Sequence, residues 1–95
     1  MLNLFCKWAE AKASKLNSDG FISRLHINKS SDNSSAYLDL DGETSIARIT
    51  FWNSGDVYLE VLDINTEKSI YSNNFRLNDF NDIDVFLCDF FKKIK

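Results

Sequence analysis

Few side chains of this sequence have the types and spacing of a catalyst. His26 is the only histidine, and no serine or cysteine nucleophile accompanies it in a recognisable motif, so a small hydrolase using His26 is disfavoured. Asp39 and Glu60 resemble a glycosidase carboxylate pair in type, but acids on an open sheet are normally solvated. There is no glycine-rich phosphate loop or dinucleotide fingerprint. We predict a protein that is not an enzyme and has no catalytic residues.

The two cysteines, Cys6 and Cys88, both fall within apolar helical patterns. Free cysteine packs as a small hydrophobe and disulfides are rare in reducing compartments, so we expect two buried thiols. A bridge between the terminal helices remains the alternative. With one histidine and no Cys-x-x-Cys pair, metal-ligand spacing is absent, and we expect neither a metal nor a cofactor.

Acidic residues are concentrated in the middle of the chain. The net charge is −3, but the segment from Ser30 to Glu67 has eight acidic residues and one basic residue, Arg48, a net charge of −7. Such a segment repels phosphate, which disfavours direct nucleic-acid binding and favours a basic partner. The alternative is a solvated sheet surface that only keeps the protein soluble.

Apolar periodicity predicts a helix at each end of the chain. The first covers residues 2–17 and stops at a polar segment in which Gly20 can adopt left-handed backbone. The second runs from about Phe80 to Lys93. Asp79 is its candidate N-cap, and Asp82 follows three residues later as in a capping box.

Between the helices the period changes to two, which predicts five strands near 21–27, 36–41, 44–52, 57–62 and 69–77. Asp41-Gly42 is typical of a type I′ hairpin turn, in which both central residues have positive φ. Short turns and two amphipathic helices predict one α+β domain over residues 1–95. Its fold is an antiparallel five-strand meander sheet with the N- and C-terminal helices packed on one face (α-β-β-β-β-β-α).

The second sheet face has no helix left to cover it. It mixes aromatic and acidic side chains, a composition typical of interface hot spots, and Trp52 and Tyr58 flank one turn as near neighbours. Trp52 has the alternative role of packing over its own sheet. Aromatics also suit an RNA-binding sheet, but basic residues are too few. The predicted partner-binding residues are Tyr37, Asp39, Asp41, Glu43, Arg48, Trp52, Tyr58 and Glu60.

The N-terminus does not read as a signal peptide. Lys7 and Glu10 interrupt its apolar run, no charged region precedes it, and no stretch of 18 apolar residues exists. These features predict a cytoplasmic protein without membrane contact. An exposed edge strand or the bare sheet face can pair two copies, so we expect a monomer or weak homodimer.

The segment Ala47–Asp63 resembles the core of the TriTu family, immunity proteins of bacterial polymorphic-toxin and contact-dependent growth-inhibition systems. The similarity lies in a Trp52-Asn53-Ser54-Gly55 turn and a following strand that ends Glu60-Val61-Leu62-Asp63. The aromatic first helix, Phe5-Cys6-Lys7-Trp8, and the amphipathic last helix also resemble the family. Ser54 and Gly55 are typical of turn chemistry, so we interpret them as structural.

The resemblance implies an antitoxin that binds the C-terminal toxin domain of a sister cell's effector and blocks its active site or substrate access. Many such toxins are nucleases with basic surfaces, which the acidic segment would complement. On this reading Asp39, Asp41, Glu43 and Glu60 pair with toxin Lys or Arg, and Trp52 and Tyr58 are anchors. The alternative is a small chaperone or adaptor that presents the open sheet to a secreted effector.

Overall fold

The computed structural model describes residues 1–94. Its first element is helix α1, Leu2–Ser18, and its last elements are a 3₁₀ turn, Phe80–Asp82, and two short helices, α2, Ile83–Phe86, and α3, Cys88–Lys93. Between them lie five strands: β1 Ile22–Asn28, β2 Ser35–Asp41, β3 Ser45–Trp52, β4 Asp56–Asp63 and β5 Ser69–Arg76. The bounds of each strand differ by at most one residue from those expected from the sequence.

The sheet has the strand order β1-β2-β3-β4-β5, and every neighbouring pair is antiparallel. Helix α1 contacts β1, β2 and β3, whereas α3 contacts β4 and β5. Along β2, β3 and β4 every second residue is buried, because these residues face the helices. The predicted meander with both helical segments on one face is therefore confirmed.

The core lies between this sheet face and the helices. Phe5, in the first turns of α1, is fully buried, and its ring stacks on that of Phe51 with centroids 4.9 Å apart. The C-terminal segment buries Ile83, Leu87, Phe90 and Ile94. These four residues belong to the apolar stripe expected from the sequence, so its spacing correctly identified the buried side.

The C-terminal segment is not the single helix that its periodicity predicted. It begins with 3₁₀ geometry and is interrupted at Leu87, where ψ is 0°. Asp79 does cap the segment, since its Oδ1 accepts a hydrogen bond from the amide of Asn81 at 3.0 Å. The expected cap is confirmed, and it stabilises a 3₁₀ turn rather than the first turn of a long α-helix.

The prediction of two buried thiols is wrong for Cys88. Both cysteines are free; Cys6 is half-buried and Cys88 is exposed. Cys88 directly follows the buried Leu87, and one residue turns a helix by about 100°, so its side chain leaves the buried stripe. For Cys6, burial and then the nearby Glu10 raise the pKa of the thiol.

The turn between β2 and β3 differs from the expected type I′ hairpin. It spans residues 42–44 and is closed by the amide of Gly42, which donates to the carbonyl of Ser45 at 2.9 Å. Gly42 does not have a positive φ. A Cβ at this position would lie 2.5 Å from Cε1 of Phe21. Glycine is therefore needed for close packing against the ring at the start of β1, rather than for left-handed backbone.

Candidate partner-binding face

The side chains that alternate with the core form the open face, the sheet surface opposite the helices. The strand register aligns them in rows that cross the sheet. One row, the charged row, contains Arg24, Asp39, Arg48, Glu60 and Ser72, one residue from each strand. Positive and negative side chains therefore alternate across four neighbouring strands, an arrangement that stabilises cross-strand pairs.

Arg48 is held firmly within the charged row. Its Nε and Nη2 donate to Asp39 Oδ1 and Oδ2 at 2.6 and 3.1 Å, and its guanidinium lies 4.1 Å from the centre of the Tyr37 ring. The hydrogen bond to Asp39 raises the pKa of Arg48. Arg48 therefore leans toward β2, although Glu60 on β4 is its other direct cross-strand neighbour.

The next row along the sheet is mainly aromatic. It contains His26, Tyr37, Thr50, Tyr58 and Asn74, and the rings of His26 and Tyr37 stack with centroids 4.7 Å apart. Tyr58 is 39% exposed. Its hydroxyl donates to Glu60 Oε2 at 3.0 Å, and this bond raises the pKa of Tyr58. Tyr58 therefore remains a neutral donor, with part of its ring available to a partner.

A depression of about 390 Å³ occupies the centre of the open face. Five of the eight predicted binding residues line this central depression: Asp39, Asp41, Arg48, Tyr58 and Glu60. Tyr37 lies at its side, under Arg48. The structure thus brings together residues from β2, β3 and β4 that are up to 21 positions apart in the sequence.

Trp52 and Glu43 lie outside the central depression. Trp52 is half-buried at the end of β3 and lines a second, shallower depression, which it shares with Tyr58. The two aromatic residues are thus near each other, as expected. Glu43 lies in the β2–β3 turn and lines a third depression beside Asp19 and Phe21. Of the eight predicted residues, Glu43 is the one that the structure separates most clearly from the others.

The acidic middle segment does not form one uniform acidic surface. Asp39 pairs with Arg48, Asp41 with Arg24 at 3.3 Å, and Asp56 with Arg76 at 3.2 Å. Arg24 and Arg76 lie outside the acidic segment in sequence, so counting charges along the chain missed them. Pairing the predicted strands in register would have placed Arg24 beside the acids of β2. The open face therefore carries acidic and basic side chains side by side.

Comparison with known protein families shows the family to which the chain belongs. The family model described as immunity protein TriTu matches residues 3–93, which include all five strands and all of the helical residues except Leu2. The chain belongs to the TriTu immunity protein family. The resemblance seen in the sequence is therefore confirmed. A search of the curated proteins gives no match.

The turn that carries the resemblance to TriTu has a structural role in this member. Gly55 has φ +99°, and a Cβ there would lie 2.6 Å from the carbonyl oxygen of Leu77. The Ser54 hydroxyl donates to Asp56 Oδ2 at 2.7 Å, and the Ser54 amide donates to Asn33 Oδ1 at 3.1 Å. Hydrogen bonds from Ser54 and Arg76 lower the pKa of Asp56. The turn thus ties together the β2 entry loop, β4 and β5.

Immunity families such as TriTu are generally non-enzymatic binding proteins. Within residues 1–94, no group of three or more His, Cys, Asp or Glu side chains is arranged to hold a metal ion. Among the helices of the described chain, none is both long and apolar enough to cross a membrane. The open face remains the main candidate for function in this TriTu protein.

Proposed function

We propose that this TriTu immunity protein binds a cognate toxin domain through its open face and neutralises it by occluding the active site or the path of the substrate. The observation that supports this proposal is the five-strand surface opposite α1 and α3, on which charged and aromatic side chains stand in register. Interfaces gain most of their energy from a few aromatic or arginine anchors surrounded by complementary polar contacts. Tyr58, Trp52 and Arg48 have these properties.

The proposed toxin is a basic protein, most simply a nuclease, and we propose that the immunity protein binds it in the cytoplasm. The chain has a net charge of −3 and a pI near 5.0. Glu43 and Glu67 are exposed in the connections at the end of the sheet where Ser45 pairs with Asp63, the last residue of β4. Exposed acids of this kind attract a basic surface over about 8 Å at physiological salt and raise the association rate.

Ion pairs within the protein already hold the charged side chains of the open face in place. Such an ordered surface favours the recognition of one specific partner. Arg48 is ordered by Asp39 and Tyr37 before any complex forms. A partner that matches this arrangement therefore avoids part of the entropic cost of ordering long side chains on binding. A partner that places a positive charge on Arg48 is rejected by repulsion, which contributes to specificity.

Growth rescue tests the proposal. The C-terminal toxin domain encoded immediately upstream is expressed together with this chain, with Tyr58→Ala, or with Lys15→Ala on the exposed side of α1 as a matched control. We expect the unaltered chain and the control to restore growth and Tyr58→Ala to do so less well. A chaperone or adaptor would support export of the effector without restoring growth, and that result would contradict the proposal.

A further inference from the structure

Glu60 differs from Asp39, the other acid of the charged row. Asp39 is bound by Arg48, and Asp41, beside that row, is bound by Arg24, but Glu60 forms no ion pair with any side chain of residues 1–94. Its one hydrogen bond in that range comes from the Tyr58 hydroxyl, which contacts Oε2. Oε1 is left for another donor. The alternation of charge across the sheet therefore ends in a carboxylate that forms no ion pair within residues 1–94.

Arg48 interacts with Glu60 only through space and forms its ion pair with Asp39. It lies directly across from Glu60 on the neighbouring strand, but two hydrogen bonds to Asp39 and the stacking on Tyr37 hold it on the β2 side. A swing toward Glu60 would break all three contacts. The geometry thus keeps the carboxylate open on the side that faces the central depression.

The lining of the central depression indicates which group fits beside Glu60. Ile46, which is 40% exposed, and Leu62 are direct cross-strand neighbours and form an apolar patch next to the Arg48–Glu60 pair of positions. Three carboxylates and one guanidinium line the depression, so an anion is disfavoured there. Long cationic side chains lay their methylene groups on apolar surface while the charged end reaches a polar partner.

We infer that the central depression receives a lysine or arginine side chain of the toxin, with its stem on Ile46 and Leu62 and its charged group on Glu60. This inference rests on the proposed binding of a toxin and adds the chemistry of the recognised group. The incoming cation would complete the alternation of the charged row. Tyr58 is a positioning residue, since its hydroxyl orients the Glu60 carboxylate.

The test measures toxin affinity by titration calorimetry, with the toxin domain encoded immediately upstream as the probe. Three forms of the full chain are compared: unaltered, Glu60→Gln and Glu10→Gln. The last two remove the same charge, but Glu10 is exposed on α1, away from the open face. We expect Glu60→Gln to weaken binding by about thirtyfold or more, as for the loss of one partner of a desolvated charge pair. Glu10→Gln should change affinity by less than about threefold, because salt largely screens an exposed charge that lies outside the interface.

Equal effects of Glu60→Gln and Glu10→Gln, or no effect of either, would overturn the inference while leaving toxin binding intact. Absence of binding by the unaltered chain would instead overturn the proposed function, and the inference with it. Tyr58→Phe supplies a second readout. Tyr58→Phe keeps the aromatic ring and removes only the hydroxyl that orients Glu60. We expect it to weaken toxin binding less than Glu60→Gln does.

Discussion

At the scale of single residues, the ion pairs of the open face contribute more to order than to stability. Exposed pairs of this kind are worth roughly 0–1 kcal/mol. Asp39 nevertheless fixes the direction of Arg48, and the direction of Arg48 decides that Glu60 stays free. Residue types along the chain identified Asp39, Arg48 and Glu60 as candidates. Which acid remained unpaired depended on side-chain choices between equivalent neighbours, and the sequence pattern does not contain that information.

Gly42 leads to a prediction about packing. Replacing it with alanine places a methyl group where the Phe21 ring lies, 2.5 Å from Cε1. Phe21 is buried, so its ring must shift to admit the methyl group. We expect Gly42→Ala to lower the free energy of unfolding by about 1–3 kcal/mol, the usual cost of overpacking. Urea denaturation followed by circular dichroism measures this loss.

The matched control for Gly42→Ala is the double variant with Phe21→Leu. The smaller side chain removes the ring atoms that clash. The double variant should therefore lose less free energy of unfolding than Gly42→Ala and Phe21→Leu lose together as single variants. Strict additivity would show that the glycine is needed for its backbone conformation instead. The sequence identified Gly42 as a turn residue but assigned the wrong reason, because the contact with Phe21 spans 21 positions of the chain.

At the scale of elements, α1 and the three central strands were predictable because each has one buried side, whereas the edge strands β1 and β5 are at most half-buried. The alternation in β2, β3 and β4 is regular, and these strands are buried as expected. The C-terminal segment was less predictable. Its apolar stripe is correct, but the interruption at Leu87 separates α2 from α3. Periodicity reports the buried side of a segment and carries little information about breaks in its hydrogen bonding.

Helix α1 is held to the sheet chiefly through Phe5. Its fully buried ring stacks on Phe51 at 4.9 Å and on Trp8 at 5.8 Å. We expect Phe5→Ala to lower the free energy of unfolding by about 3–5 kcal/mol, since it leaves a cavity between helix and sheet. Phe5→Leu should cost less. Equilibrium urea unfolding gives both values.

Leu4→Ala is the control for Phe5→Ala. Leu4 is the adjacent residue and is 50% exposed, so its truncation should change the free energy of unfolding by no more than about 0.5 kcal/mol. An equal decrease in the free energy of unfolding for both variants would show that the Phe5–Phe51 stack does not anchor α1 to the sheet.

At the scale of the whole molecule, the two layers have different tasks. The helices and the inner sheet face supply the core, and the outer sheet face carries ordered charges and aromatic rings. Membership of the TriTu family and the overall architecture were both predictable from the sequence. The charge of the segment from Ser30 to Glu67 does not describe the surface by itself, because Arg24 and Arg76 lie beside its acids once the strands have paired.

The central claim is that the open face, rather than the helical layer, contacts the toxin. Cross-saturation NMR tests this claim most directly, by transfer of magnetisation from unlabelled toxin to methyl groups of the deuterated chain. Ile46 and Leu62 report on the open face, and the exposed Leu4 and Val85 report on the helical side. Our account predicts that saturation reaches Ile46 and Leu62 and spares Leu4 and Val85. Saturation of Leu4 and Val85 with Ile46 and Leu62 unaffected would contradict it.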